Sequence, residues 1–147
     1  MKQFALIVLF SLVSIGMYAQ QFETNFESAQ ADSRSSGKPI VLVFSGSDWC
    51  KPCILLKQQI LNTPEFSEYS EEHLVTVNLD FPYRKKNLLS KELQEQNEAL
   101  AETYNPKGVF PLVLLLKDDL SVAAQFDYHP KMEAHAFIQQ IEAKLPQ

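Results

Sequence analysis

The 147 residues suffice for one ordinary domain and not for two. Apolar residues make up 46% of the chain, enough for a packed core, which excludes wholesale disorder. A net charge of −5 speaks against a nucleic-acid partner, which needs a basic face, and the one basic run, Arg84-Lys85-Lys86, reads as a solvated loop.

The chain opens with Lys2, the uncharged run "FALIVLFSLVSIGM" and small Ala19 before polar "QQFETN". Charged, apolar, then cleavable is the order of a secretory signal, so residues 1–19 are expected to be a leader cut after Ala19, and 20–147 the domain. The apolar run falls short of the ~20 residues a membrane span needs. The reading is of an exported protein, periplasmic or secreted. Export leaves cysteines free to be oxidised. The chain has two, Cys50 and Cys53, too few for a disulfide framework or a four-cysteine zinc site.

Residues 24–38 are polar with spaced Phe26 and Ala29, a helix ending near Gly37. "PIVLVFS", Pro39 to Ser45, is continuously apolar and β-branched, a strand covered on both faces. "SGSDWCKPC" follows, and Ile54, Leu55, Gln58 and Leu61 beyond it stand at helical spacing. The cysteines therefore fall where a buried strand turns into a helix. "HLVTVNLDF", His73 to Phe81, reads as a second strand with Val75, Val77 and Leu79 on one face. Ser90 caps a helix through Tyr104, with Leu93, Leu100, Ala101 and Tyr104 on its stripe. "FPLVLLLKDDLSVAAQF" is an antiparallel hairpin turning at Lys117-Asp118-Asp119. Pro130 is expected to open a last helix. The order helix, strand, helix, strand, helix, strand, strand, helix implies an α/β fold, a mixed sheet between helices.

The chemistry centres on the cysteine pair. The unpaired N–H groups of a helix start favour negative charge, and the thiolate is the attacking species. Cys50, at the very start and expected to be exposed, is the candidate nucleophile; Lys51 beside it adds a cation. Cys53, one turn inside, is placed to resolve a mixed disulfide. Pro52 limits the backbone between them and fits the first turn. A copper or zinc site is the alternative if His73, His129 or His135 joins the cysteines, although none stands at a ligand spacing from them.

With "PIVLVF" leading into "WCKPC", "VTVNLD" as the next strand, and "ALAETYNPKGVFPLVLLL" before a "KDD" turn, nearly all of the mature chain resembles the thioredoxin-like family. The longer "FSGSDWC" is more similar to its exported bacterial members. The resemblance implies a three-layer sandwich and a protein-disulfide oxidoreductase without cofactor, with Cys50 and Cys53 catalytic. Trp49, Lys51, Pro52, Phe110 and Pro111 would shape the site. Phe110-Pro111 would be a cis bond facing the cysteines, beside which a substrate strand pairs. Partners would be protein disulfides and a membrane thiol relay as electron donor; the chain itself would be a monomer. Lys51-Pro52 lacks the histidine of strongly oxidising relatives and points to reduction or reshuffling. The sequence departs from the family at the buried acid before the motif. That place falls on Val43 or Phe44, while Asp48 reads as a loop acid. A non-enzymatic module of the same fold, its disulfide a staple, is the rival reading.

Overall fold

The structure is a computed structural model and describes residues 22–145, so the expected leader lies outside the described residues. Its elements run α1 (Phe26–Ser36), β1 (Ile40–Ser45), α2 (Lys51–Leu56) continued by a π-helical turn (Lys57–Leu61), α3 (Pro64–His73) and β2 (Val75–Asp80). A 3₁₀ turn (Lys85–Asn87), α4 (Lys91–Tyr104), β3 (Leu112–Leu116), β4 (Val122–Phe126) and α5 (Ala134–Glu142) complete it. The strands form one mixed sheet in the order β2-β1-β3-β4, with β1 parallel to β2 and antiparallel to β3.

The unbroken apolar run of β1 has its explanation in this order. The strand is central, and its alternate side chains enter two different cores. Val41 and Val43 pack with Leu56, Ile60, Phe66, Phe137 and Ile141 on one side. Ile40, Leu42 and Phe44 pack with Phe26, Ala29, Val77 and Leu79 on the other, where Leu100, Ala101 and Tyr104 of α4 close the layer. Helices thus cover both faces, giving the expected three-layer sandwich. Each such side chain contributes about 1.5–3 kcal/mol through burial. The strand that carries the cysteine motif at its end is therefore held from both sides.

Local signals set the boundaries. Asn25 caps α1 through Ser28 N, and Gly37 closes it in the left-handed region at φ 72°. Ser90 caps α4 by accepting from Leu93 N. Glu23 bridges to the outer edge of β2, donating to Thr76 O and accepting from Asn78 N.

Four expectations need correction. Residues 64–73 form α3, which polar composition hides; Thr63 caps it and Pro64 opens it, and only Phe66 and Ser70 are buried. His73 ends that helix instead of starting a strand. In the motif helix the inward residues are Cys53, Leu56, Ile60 and Leu61, while Gln58 is exposed. The wider π turn changes the angular spacing after Leu56 and so shifts the apolar stripe. The last helix starts at Ala134; residues 130–131 form a turn. The hairpin turn extends past Asp119 to Leu120, at φ 64°, whose carbonyl accepts from Tyr104 Oη at 3.0 Å.

Candidate active site

The motif loop leaves the C-terminal end of β1 at the middle of the sheet. Gly46 O accepts from Cys50 N at 2.9 Å and closes the turn that delivers Cys50 to the start of α2. Cys50 is the N-cap, and its Sγ accepts from Cys53 N at 3.3 Å. The two sulfurs are bonded, with Cα atoms 5.3 Å apart. Lys51 and Pro52 project into solvent at the first turn.

Cys50 is only 4% exposed and Cys53 3%, which corrects the expectation that Cys50 stands open. Bonded to its partner, its sulfur turns toward the helix and takes the Cys53 amide instead of facing water. The amide that holds the sulfur here is also the group that favours a thiolate on Cys50 once the bond is reduced.

Trp49, which precedes Cys50, meets the Phe110-Pro111 turn. Phe110-Pro111 is cis, as expected. The Trp49 indole is half exposed, meets the Phe110 ring edge-on at 5.3 Å, and donates from Nε1 to Phe81 O at 2.7 Å. Phe110 in turn packs edge-on against Phe81 at 5.4 Å. Behind the turn, buried Asn105 brackets Val109: its Nδ2 donates to Val109 O and its Oδ1 accepts from Val109 N, both at 2.8 Å. That bracket positions the residue before Phe110.

Two carboxylates then lace the motif loop to the loop after β2. Asp80 accepts from Ser47 N at 2.8 Å and Ser47 Oγ at 2.6 Å. In return, Asp48 accepts from Tyr83 N at 2.8 Å, Arg84 N at 2.9 Å and Asn87 Nδ2 at 2.8 Å. Asp48 is thus a positioning residue and not an idle loop acid. Sequence reading missed Gly46, Asp80, Phe81 and Asn105; the only local cue was the Asn-Pro pair at 105–106.

The Tyr83 amide holds the Asp48 carboxyl below its ordinary value of 3.8, helped by the Arg84 amide, Asn87 and the Arg84 charge against some desolvation. A depressed folded-state value means the ionised form is the better bound one. Its stabilisation is present above the ordinary value and is lost as pH falls through the depressed one. Asp48→Asn is therefore expected to lower the melting temperature at neutral pH. The gap from wild type should close at pH below the ordinary carboxylate range, as thermal melts of both proteins across pH would show.

The family's buried acid is absent. Val43 faces the layer that holds the motif helix and Phe44 the opposite one, and neither of these two candidate places carries an acid. Among the described residues, the buried polar side chains are Ser70, Thr76, Asn97 and Asn105, with no carboxylate among them. His73, His129 and His135 are exposed, and His135 pairs with Glu65 at 3.2 Å. Among the described residues, no three His, Cys, Asp or Glu side chains gather as a metal site. A shallow pocket lined by Gln30, Arg34, Ile40 and Lys117 lies at the start of β1, the end away from the cysteines.

Comparison with known proteins agrees with this geometry. A family model described as thioredoxin-like matches residues 21–117. The disulfide bond reductase DsbH of Chlamydia pneumoniae is 32% identical over 121 residues, covering 82% of this chain and 70% of that protein. The thioredoxin-related protein DsbJ of the same organism is 26% identical over 98 residues, 67% of this chain but 28% of its own length. Among solved structures, a DsbH oxidoreductase superposes with a TM-score of 0.77 at 29% identity, covering 95% of this chain and 94% of the other. The oxidised C-terminal domain of Neisseria meningitidis DsbD superposes at 0.57 with 21% identity, covering 85% and 100% respectively.

Proposed function

The chain belongs to the thioredoxin-like family, and from that premise we propose that it reduces disulfides in exported proteins. It is a thiol–disulfide oxidoreductase; the direction, the compartment and the roles of the two cysteines are the proposal. The observation that carries it is the cysteine pair at a helix start, with the Cys53 amide donated to the Cys50 sulfur.

The steps balance as follows. The Cys50 thiolate attacks one sulfur of a substrate disulfide, and the other substrate sulfur leaves as a thiolate. The Cys53 thiolate then attacks Cys50 Sγ, freeing the second substrate thiol and leaving the Cys50–Cys53 disulfide. Two electrons pass to the substrate, and a donor thiol returns them. Outside the cytoplasm that donor would be a membrane thiol relay, since this chain supplies no second redox pair. The leader expected from the sequence at 1–19 supports export, and the monomeric state is part of the same proposal. Among the described residues, no helix is long and apolar enough to cross a membrane.

Reduction is favoured over oxidation by Lys51-Pro52 and by similarity to a relative named for disulfide reduction. Potentials in this chemistry run from roughly −270 mV for thioredoxin to about −120 mV for the strongest oxidant. Equilibration of the Cys50–Cys53 couple with glutathione is expected to place it in the reducing half of that range. A value near the oxidising extreme would sink the reductive direction. The missing buried acid favours one second reading, a binding module whose disulfide never turns over.

A further inference from the structure

The basic triplet Arg84-Lys85-Lys86 looks like ordinary solvated loop in the sequence, but the structure gives it an address. Asp48, two residues before Cys50, holds the Tyr83 and Arg84 amides and the Asn87 side chain. Asp80 holds Ser47 from the other side, and the Trp49 indole donates to Phe81 O. The triplet is therefore fastened beside the cysteine motif and keeps its place relative to the disulfide.

Among the described residues, its two lysines make no ion pair. Among the described residues the ion pairs within 4.0 Å are His73–Glu72, Lys91–Glu95 and His135–Glu65. Lys51, Lys85 and Lys86 are exposed and take part in none of these pairs, while the charge of exposed Arg84 acts on Asp48. Asp48 and Asp80, the carboxylates of these two loops, take their hydrogen bonds from the neutral donors just named, which leave a carboxylate's charge in place. Apolar surface accompanies the charge: Trp49 is 50% exposed, Tyr83 84% and Leu88 51%. Four cations, Lys51, Arg84, Lys85 and Lys86, against two carboxylates, Asp48 and Asp80, give the two loops beside the redox pair a positive balance on a chain whose net charge is −5.

We propose that residues 83–88 form a substrate-selecting rim that favours disulfides embedded in acidic polypeptide segments. The proposal rests on the oxidoreductase reading above and names its substrate class. A cluster of cations on a loop fastened beside the motif raises the encounter rate of acidic segments there, and the effect is screened within about 8–10 Å at physiological salt. Exposed Trp49 and Tyr83 supply contact area once the segment has arrived.

The test uses the full chain, reduced beforehand and freed of reductant. It is mixed with disulfide peptides identical around the cystine but flanked by Asp and Glu, by Lys, or by Ser and Gly. The acidic peptide is expected to react roughly tenfold faster than the basic one at low salt, with the ratio falling toward one at high salt. In the double variant Lys85→Glu, Lys86→Glu that preference should vanish or invert. A ratio within twofold in the wild-type protein, or one the double variant leaves intact, overturns the rim. Failure to reduce even the Ser/Gly peptide overturns the oxidoreductase reading instead. The rim is then decided by titrating the fluorescence of Trp49, the single tryptophan, with cysteine-free acidic and basic peptides. Preferential binding of the acidic peptide, lost in the double variant, supports it. Equal binding, or binding only to anionic phosphatidylglycerol vesicles, overturns it.

Discussion

Cys50→Ser is expected to slow protein-disulfide reduction by roughly 10³-fold or more, as removal of a nucleophile does. A serine hydroxyl is not ionised near neutral pH and cannot enter thiol–disulfide exchange. Cys53→Ser is expected to behave differently. Cys50 keeps its place at the helix start, so the first attack proceeds, but nothing frees the mixed disulfide and it accumulates. Insulin reduction separates wild type from both variants. Non-reducing gels with a disulfide substrate separate the variants from each other. Equal inactivity of wild type and Cys50→Ser would support the binding-module reading. Trapping by Cys50→Ser instead of Cys53→Ser would reverse the roles given to the two sulfurs. In the native host, the adducts held by Cys53→Ser would identify the physiological substrates directly.

Gly46→Ala should have the second-largest effect, and for a steric reason. A Cβ at Gly46 would stand 2.3 Å from Trp49 Cε2 and 2.5 Å from Nε1, inside any tolerated contact. The backbone at Gly46 is not left-handed, so the conflict is steric, and the three nearest atoms all belong to the indole. The ring is half exposed and has somewhere to go. We expect it to swing outward, losing the bond to Phe81 O and the edge contact with Phe110. Together these are worth about 1–2 kcal/mol. The emission of Trp49 should shift to the red, and exchange should slow by roughly tenfold, the factor that about 1.4 kcal/mol carries. Unshifted emission would show that the glycine is not what seats the ring.

The two variants also mark what local pattern can and cannot reveal. Cys50, Cys53 and the buried strand before them were legible because each is announced within a few residues, whereas the cis Phe110-Pro111 bond was expected only from the family resemblance. An apolar run with β-branched side chains means a covered strand wherever it occurs, and a cysteine pair after it needs no distant partner to be noticed. Gly46 was silent because its role is to leave room for an indole. Asp48 and Asp80 were silent because their partners lie 33 to 39 positions away in the chain. No periodicity reports a carboxylate that reaches across two loops. Helix α3 was hidden for another reason. Its inward face is only Phe66 and Ser70, with Tyr69 partly covered, too thin a stripe to stand out among glutamates. The shifted stripe after Leu56 follows from the π turn, since reading by helical spacing assumes the pitch that this turn abandons.

Val43, one of the two places where the family resemblance leads one to expect a buried acid, has a consequence for how the redox couple answers to pH. A carboxylate buried against the cysteines would titrate with them and bend the line of potential against pH. With valine there, and no buried carboxylate among the described residues, only the two sulfurs exchange protons with the medium. The potential should then fall by about 59 mV per pH unit while both thiols keep their protons. The slope eases to about 30 mV per unit once the first ionises, so the first break in the line reads the acidity of the first thiol directly.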